Sequence, residues 1–134
     1  MQDLKPILTI AIPTYNRSSQ LEELYSDFLS KIVFDYKDYV EIIVLDNSDA
    51  EIAKYNKMIF PNKSVRYLKN EINVGFSGNI INCVKEANGK FLWLISDDDY
   101  VDYDSFCKFI EYLNGLRNLS IKCVMLPFIN KNFL

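Results

Sequence analysis

The sequence predicts an α/β fold: three layers, with helices on both faces of a mostly parallel sheet. Two observations predict it. Largely apolar runs of strand length lie at residues 7–12, 40–45, 65–68 and 91–95, and the last, Phe91 to Ile95, shows no polar alternation, as expected of a strand buried on both faces. Segments with helical periodicity separate them, and each crossover is long enough to return the chain right-handed and parallel. A third observation concerns function. The runs stop abruptly at polar clusters, Thr14 to Arg17, Asp46 to Asp49 and Asp97 to Asp99. Parallel strands bring their carboxyl ends to one edge, so these clusters should face a single crevice.

Residues 7–12 form the first strand, and Pro13-Thr14-Tyr15-Asn16-Arg17 ends it with turn chemistry. A helix follows, with capping-box spacing at Ser19 and Glu22. Its inner face carries Leu21, Leu24, Tyr25, Phe28, Leu29 and Ile32. After a polar return at residues 36–39, residues 40–45 make the second strand, closed by Asp46-Asn47-Ser48-Asp49. Asp49 is placed to cap a second helix reaching Phe60, with Ile52, Tyr55 and Ile59 inward, and Pro61 ends it.

Residues 65–68 are a short third strand, and the loop 70–76 leads to a helix opened by Ser77. Its expected buried stripe is Ile80, Ile81, Val84 and Ala87, with Asn88-Gly89 as a left-handed cap. The fourth strand, 91–95, runs into Asp97, Asp98 and Asp99. Asp102 or Asp104 caps the next helix, which turns Phe106, Phe109, Ile110 and Leu113 inward and stops at Asn114-Gly115. A fifth strand is expected at residues 122–126. No repeat, low-complexity tract or linker interrupts the chain.

At 134 residues the chain fits one domain, able to bury roughly two thirds of its unfolded surface. Its net charge of −3 offers no general attraction for nucleic acid or an anionic membrane, so phosphate binding has to be local. Cys83, Cys107 and Cys123 are widely spaced and form no Cys-x-x-Cys pair, which suggests neither a disulfide framework nor a zinc site and favours a cytoplasmic setting. The N-terminus lacks the pattern of a signal peptide, and no apolar run approaches the ~20 residues of a membrane span. The absence of histidine removes every Ser-His-Asp or Cys-His arrangement from this chain.

Adjacent carboxylates at a strand end repel one another unless a cation or a donor-rich ligand neutralises them. A divalent metal carrying phosphates is the obvious candidate. There is no Gly-x-Gly-x-x-Gly turn after the first strand and no P-loop, so a nucleotide is held by other means. Receiver domains and dehalogenase-type phosphatases place acids at the end of the first strand, where this chain has Pro-Thr-Tyr-Asn-Arg.

The motifs Ala11-Ile12-Pro13-Thr14-Tyr15-Asn16-Arg17, Ile42-Ile43-Val44-Leu45-Asp46-Asn47-Ser48, Asn73-Val74-Gly75 and Ala87-Asn88-Gly89-Lys90-Phe91 through Asp97-Asp98-Asp99 occur in one order and spacing. In this the chain resembles the family 2 glycosyltransferases, Rossmann-like GT-A enzymes that use nucleotide-diphosphate sugars. The resemblance implies that Pro13, Thr14 and Tyr15 line the base and ribose. It implies further that Asp46 accepts from a base N–H, with uracil and hence a UDP-sugar favoured; the alternative for Asp46 is a turn residue closing its strand. Arg17 approaches phosphate or is a solvated residue at the helix start. Asn73 and Gly75 wrap the nucleotide or form a simple turn with Gly75 at positive φ.

The run 97–99 corresponds to the family's Asp-x-Asp element. It implies Mg²⁺ or Mn²⁺ held by Asp97 and Asp99, with ribose nearer Asp97 and metal nearer Asp99; Asp98 is the ligand instead if Ser96 takes the first slot. The general base that activates the acceptor is expected beyond Leu134, so residues 1–134 read as the donor-binding half of an inverting transferase. The acceptor is expected to be a saccharide or a lipid-linked molecule, with peripheral membrane association of the full-length protein and no nucleic-acid partner. The apolar tail, with Val124, Met125, Leu126, Phe128 and Ile129, is expected to seek a cover such as a second protomer. Two other functions fit the same residues: a nucleotide- and metal-binding module without turnover, or an interaction domain assembling through the tail. Turnover that dies with Asp99→Ala, metal-dependent affinity without turnover, or association that responds to tail truncation separates the three.

Overall fold

A computed structural model describes residues 5–61 and 63–120. The elements are β1 (Leu8–Thr14), α1 (Ser18–Leu24), a π-helical turn (Tyr25–Leu29), α2 (Ser30–Asp35), β2 (Val40–Asp46), α3 (Ala50–Met58), β3 (Val65–Lys69), α4 (Gly75–Glu86), β4 (Phe91–Leu94) and α5 (Tyr103–Gly115). All strand pairs are parallel, in the order β3-β2-β1-β4. The α/β fold expected from the sequence is present, with its sheet flanked by helices. The fifth strand and the tail lie outside the described residues. Among the described residues, no helix is long and apolar enough to cross a membrane.

Strand pleating divides the core unequally. Ile10, Ile12, Ile42 and Val44 pack with Leu21, Phe28, Ile32, Phe106, Ile110 and Leu113 in one large buried cluster. Phe106 organises it, meeting Phe28 and Tyr36 edge-on at 5.1 and 5.7 Å and stacking on Trp93. The opposite face is thinner: Ala11, Ile43 and Leu45 gather around Cys83 of α4, with Leu68 and Leu92 partly buried beside them. Burial pushes the Cys83 thiol up to about 11, so this cysteine is a packing residue.

That asymmetry corrects several expectations. β4 stands at an edge of the described sheet, so Leu94 is 38% exposed rather than buried on both faces. On α4 the sheet-facing residues are Asn79 and Cys83, while Ile81 and Val84 are exposed. The helix is turned this way because Asn79 donates to the carbonyl of Leu45, 2.9 Å away. On α3 the buried residues are Ala53 and Asn56, and Tyr55 is half exposed. Here too a buried amide, not an apolar stripe, fixes the helix face.

The helix ends also differ. α1 starts after Arg17 with no side-chain cap, so the Ser19–Glu22 pair does not form its capping box. Asp49 occupies the N-cap position of α3, but its carboxylate accepts from Asn16 instead of from the helix. α4 begins at Gly75, two residues before Ser77, and Gly75 has the positive φ of 74°. Gly89 is not left-handed. It is required because a Cβ there would lie 2.5 Å from the Thr9 nitrogen and 2.7 Å from the Leu8 carbonyl carbon. Asp102 does cap α5, accepting from the Ser105 amide at 2.9 Å.

Candidate functional site

The β1–β4 register carries the site. Ala11 pairs with Leu94, and three residues further on the Thr14 hydroxyl donates to Asp97 Oδ2 at 2.8 Å. Thr14 and Asp97 are both buried. Around them, at the carboxyl ends of β1 and β4, opens a cavity of about 550 Å³. Of the residues expected from the sequence, it is lined by Pro13, Thr14, Tyr15, Arg17, Asn73, Gly75 and Asp97. Residues the sequence reading did not single out complete it: Asn47, Phe76, Asn79, Ile80, Leu94, Ile95 and Ser96. Tyr15 and Phe76 are well exposed, so two aromatic side chains are available at its surface.

Arg17 binds the acidic end together. Its Nη1 lies 3.1 Å from Asp97 Oδ1 and its Nη2 2.6 Å from Asp98 Oδ2. Burial pushes the Asp97 carboxyl above the usual aspartate range, although the Thr14 hydrogen bond and the Arg17 charge oppose it. Asp98 is held below that range by hydrogen bonds from Ser96 and Arg17. The two carboxylates therefore differ: Asp97 is a buried group whose charge is costly, and Asp98 a half-exposed one whose charge is favoured.

Asp99 is not brought onto the same point. Its Oδ2 accepts from the Ser96 amide at 2.7 Å, closing the turn after β4. The structure thus couples Asp97 to Asp98, through Arg17, where the sequence pattern paired Asp97 with Asp99. Among the described residues, no group of three or more Cys, Asp or Glu side chains is placed to hold a metal ion. The donor chemistry still fits a hard divalent cation, which takes carboxylate oxygens and often only one or two from protein when it also holds phosphates. A single guanidinium already spans Asp97 and Asp98, so a positive charge is accommodated between the two carboxylates.

Asp46 does not line the cavity. It is fully buried, and its carboxylate is taken up internally: Oδ1 accepts from the Ser48 amide at 2.7 Å, and Oδ2 from Asn56 Nδ2 at 2.9 Å and the Tyr67 hydroxyl at 2.6 Å. Asp46, expected to meet a base, is thus turned to internal donors and away from the cavity. Burial and this hydrogen bond push the Tyr67 phenol far up. The neighbouring residue, Asn47, is the one that lines the cavity.

Asn47 belongs to an amide network that fixes the loop before α4. Asn70 Nδ2 donates to Asn47 Oδ1 at 2.6 Å and Asn79 Oδ1 at 2.8 Å, and Asn70 Oδ1 accepts from Asn82 at 3.1 Å. Asn47 Nδ2 donates in turn to the Gly75 carbonyl at 3.0 Å, and Asn73 Oδ1 accepts from the Gly75 amide at 2.9 Å. Asn73 and Gly75 are thereby held at the cavity wall. The Asn73-Val74-Gly75 motif pointed to this loop, whereas Asn70, Asn79 and Asn82 follow no spacing rule that would mark them.

A parallel α/β sheet with a cavity at its carboxyl edge places the candidate site where open α/β folds bind their ligands. Residues 9–132 match the family model described as Glycosyl transferase family 2, and the chain belongs to that family. It is 29% identical over 119 residues to abequosyltransferase RfbV of Salmonella typhimurium, covering 84% of this chain and 34% of that protein. It is 30% identical over 97 residues to the GalNAc(5)-diNAcBac-PP-undecaprenol beta-1,3-glucosyltransferase of Campylobacter jejuni, covering 70% of this chain and 30% of that one. Among solved structures it resembles S. aureus TarS 1-349 in complex with UDP-GlcNAc (TM-score 0.63, 21% identity, 81% of this chain and 31% of the other). It also resembles mannosyltransferase PcManGT from Pyrobaculum calidifontis in complex with GDP-Man and Mn²⁺ (TM-score 0.60, 18% identity, 88% and 33%). The structures show the GT-A fold. The chain spans about a third of the length of these relatives.

Proposed function

We propose that this chain forms the donor site of a glycosyltransferase that moves a sugar, with inversion, from a nucleotide-diphosphate sugar to a saccharide or lipid-linked acceptor at the cytoplasmic face of the membrane. The observation that carries the proposal is the joining of Thr14 and Arg17 to Asp97 and Asp98 across the mouth of one cavity. A UDP-sugar is the favoured donor, in keeping with the UDP-GlcNAc bound by TarS, while the GDP-Man of PcManGT makes GDP the first alternative. A lipid-linked saccharide acceptor accords with the name of the Campylobacter jejuni relative.

In this reading the base lies against Tyr15 and Phe76, whose rings supply apolar contact area, with Asn47 behind it in the cavity wall. Asn73 and Gly75 confine it from the loop side. Asp97, oriented by Thr14, faces the ribose; Arg17 stands by the diphosphate. Apolar Ile80, Leu94 and Ile95 limit water around the sugar–phosphate bond. Mg²⁺ or Mn²⁺, when bound by carboxylates of the 97–99 run, supplies positive charge to the departing diphosphate, an effect worth several kcal/mol, or roughly a thousandfold in rate. Asp46 organises the floor behind Asn47 and does not touch the nucleotide.

Isothermal titration of UDP, GDP and dTDP into the protein, with Mn²⁺ and then with EDTA, tests the proposal. Metal-dependent binding of one nucleotide, lost in Asp97→Ala, is expected. If none of the three binds with metal present, the cavity is not a donor site. Turnover is then read as sugar release from the matching nucleotide sugar, and binding without any release would favour the module that does not turn over.

A further inference from the structure

Arg17 stands where the two ligands of the proposed donor site would meet. Its buried partner, Asp97, is fixed, and Arg17 is not. Asp97 is only 3% exposed and tied to Thr14, whereas the Arg17 side chain is 41% exposed and lines the cavity. Arg17 also sits on the turn between β1 and α1, outside the helix itself, so the side chain can leave the carboxylates without disturbing an element. A guanidinium fork suits a pair of carboxylates and a diphosphate equally well, because both present paired anionic oxygens.

We propose that Arg17 is the resident counter-cation of the acidic edge and exchanges partners when the donor binds. In the free protein it neutralises Asp97 and Asp98. A divalent cation takes its place on those carboxylates, and the released guanidinium moves to the diphosphate that the cation accompanies. The consequence is reciprocal coupling. Metal alone has to displace Arg17, and nucleotide alone has to draw it away from two carboxylates; together each offsets the other's cost. This inference rests on the donor-site reading above.

The test measures free Mn²⁺ by electron paramagnetic resonance during titration of the wild type, Arg17→Gln, Arg17→Lys and the remote charge control Lys85→Gln, without UDP and with UDP at saturation. Opposite changes are expected in Arg17→Gln. Mn²⁺ alone binds on the order of fivefold tighter, because a partly exposed charge pair no longer competes with it, and Mn²⁺ with UDP binds more weakly than in the wild type. Arg17→Lys falls between, since an ammonium is a point charge without the fork. Lys85→Gln stays within about twofold of the wild type, as expected for a single screened surface charge. If Arg17→Gln binds Mn²⁺ alone no more tightly than the wild type, or if its metal–nucleotide coupling is unchanged, the exchange is refuted while the donor site stands. If neither protein binds Mn²⁺ or UDP, the donor-site reading and this inference fall together.

Discussion

Asp46→Asn separates a scaffold residue from a base-binding one. The wild-type carboxylate takes three internal donors, and the substituted amide offers only one oxygen to them. The Ser48 amide keeps that oxygen. Tyr67 falls back on the Ala53 carbonyl, 3.0 Å from its hydroxyl, and Asn56 on a long 3.3 Å contact with Ser48. Two hydrogen bonds to a charged acceptor are therefore lost, with partial compensation, at a cost of about 3 kcal/mol. Against a domain stability of about 5–15 kcal/mol this shifts the urea midpoint by roughly 1–2 M. The assay is equilibrium urea unfolding, with the Tyr67 phenol followed by ultraviolet titration. Losing the Asp46 charge lowers the Tyr67 pKa from its raised value. An unchanged midpoint together with lost nucleotide binding would show that Asp46 serves the base directly.

Three further outcomes are expected. Gly89→Ala drives a methyl group into the β1 backbone and costs about 2–3 kcal/mol in chemical denaturation, whereas Gly115→Ala, with nothing within 4 Å of the new carbon, leaves stability nearly unchanged. Asn70→Ala removes the hub of the amide network, so hydrogen exchange at Val74 and Gly75 accelerates while the β1 amides keep their protection; equal acceleration in both places would mean that the network supports the whole fold rather than the loop. Glu41 is largely buried, which raises its pKa, but hydrogen bonds from Asn88 and Thr9 and the charge of Arg66 hold it below the usual range. A depressed acid pKa stabilises the folded state above the unfolded value of about 4.3, and the contribution is lost as pH falls through the folded value. The melting-temperature advantage of the wild type over Glu41→Gln is thus present at neutral pH and shrinks on acidification; growth of that advantage at low pH would reverse the sign of the argument.

The central strands and their order of appearance were legible because largely apolar runs of strand length leave few alternatives to burial in a parallel sheet. A cap at Asp102 or Asp104 was legible because a capping side chain acts within its own turn, and Asp102 is the one that does so. The faces of α3 and α4 were not. Hydrophobic periodicity assigned Tyr55, Ile81 and Val84 to the core, but Asn56 and Asn79 occupy those faces, drawn in by Asp46 and the Leu45 carbonyl. A buried amide that completes a distant group's hydrogen bonds leaves no periodic trace. The same holds for the π-helical turn between α1 and α2, which shifts the helical register without a proline or glycine to mark it. At the site, the sequence located the acidic edge and its facing turn, while the Arg17 bridge to Asp98, spanning 81 positions, exists only in three dimensions.

Under the proposed function, a nucleoside diphosphate and a divalent cation meet at the carboxyl edge of β1 and β4. Amide-resolved NMR of the protein with UDP, with Mg²⁺ replaced stepwise by paramagnetic Mn²⁺, tests it most directly. Broadening is expected to be greatest at Ser96, Asp97, Asp98 and Asp99, next at Thr14, Tyr15 and Arg17, and absent at Lys37 and Ser64 on the opposite edge of the sheet. Broadening centred on that opposite edge, or spread evenly over the surface, would contradict it.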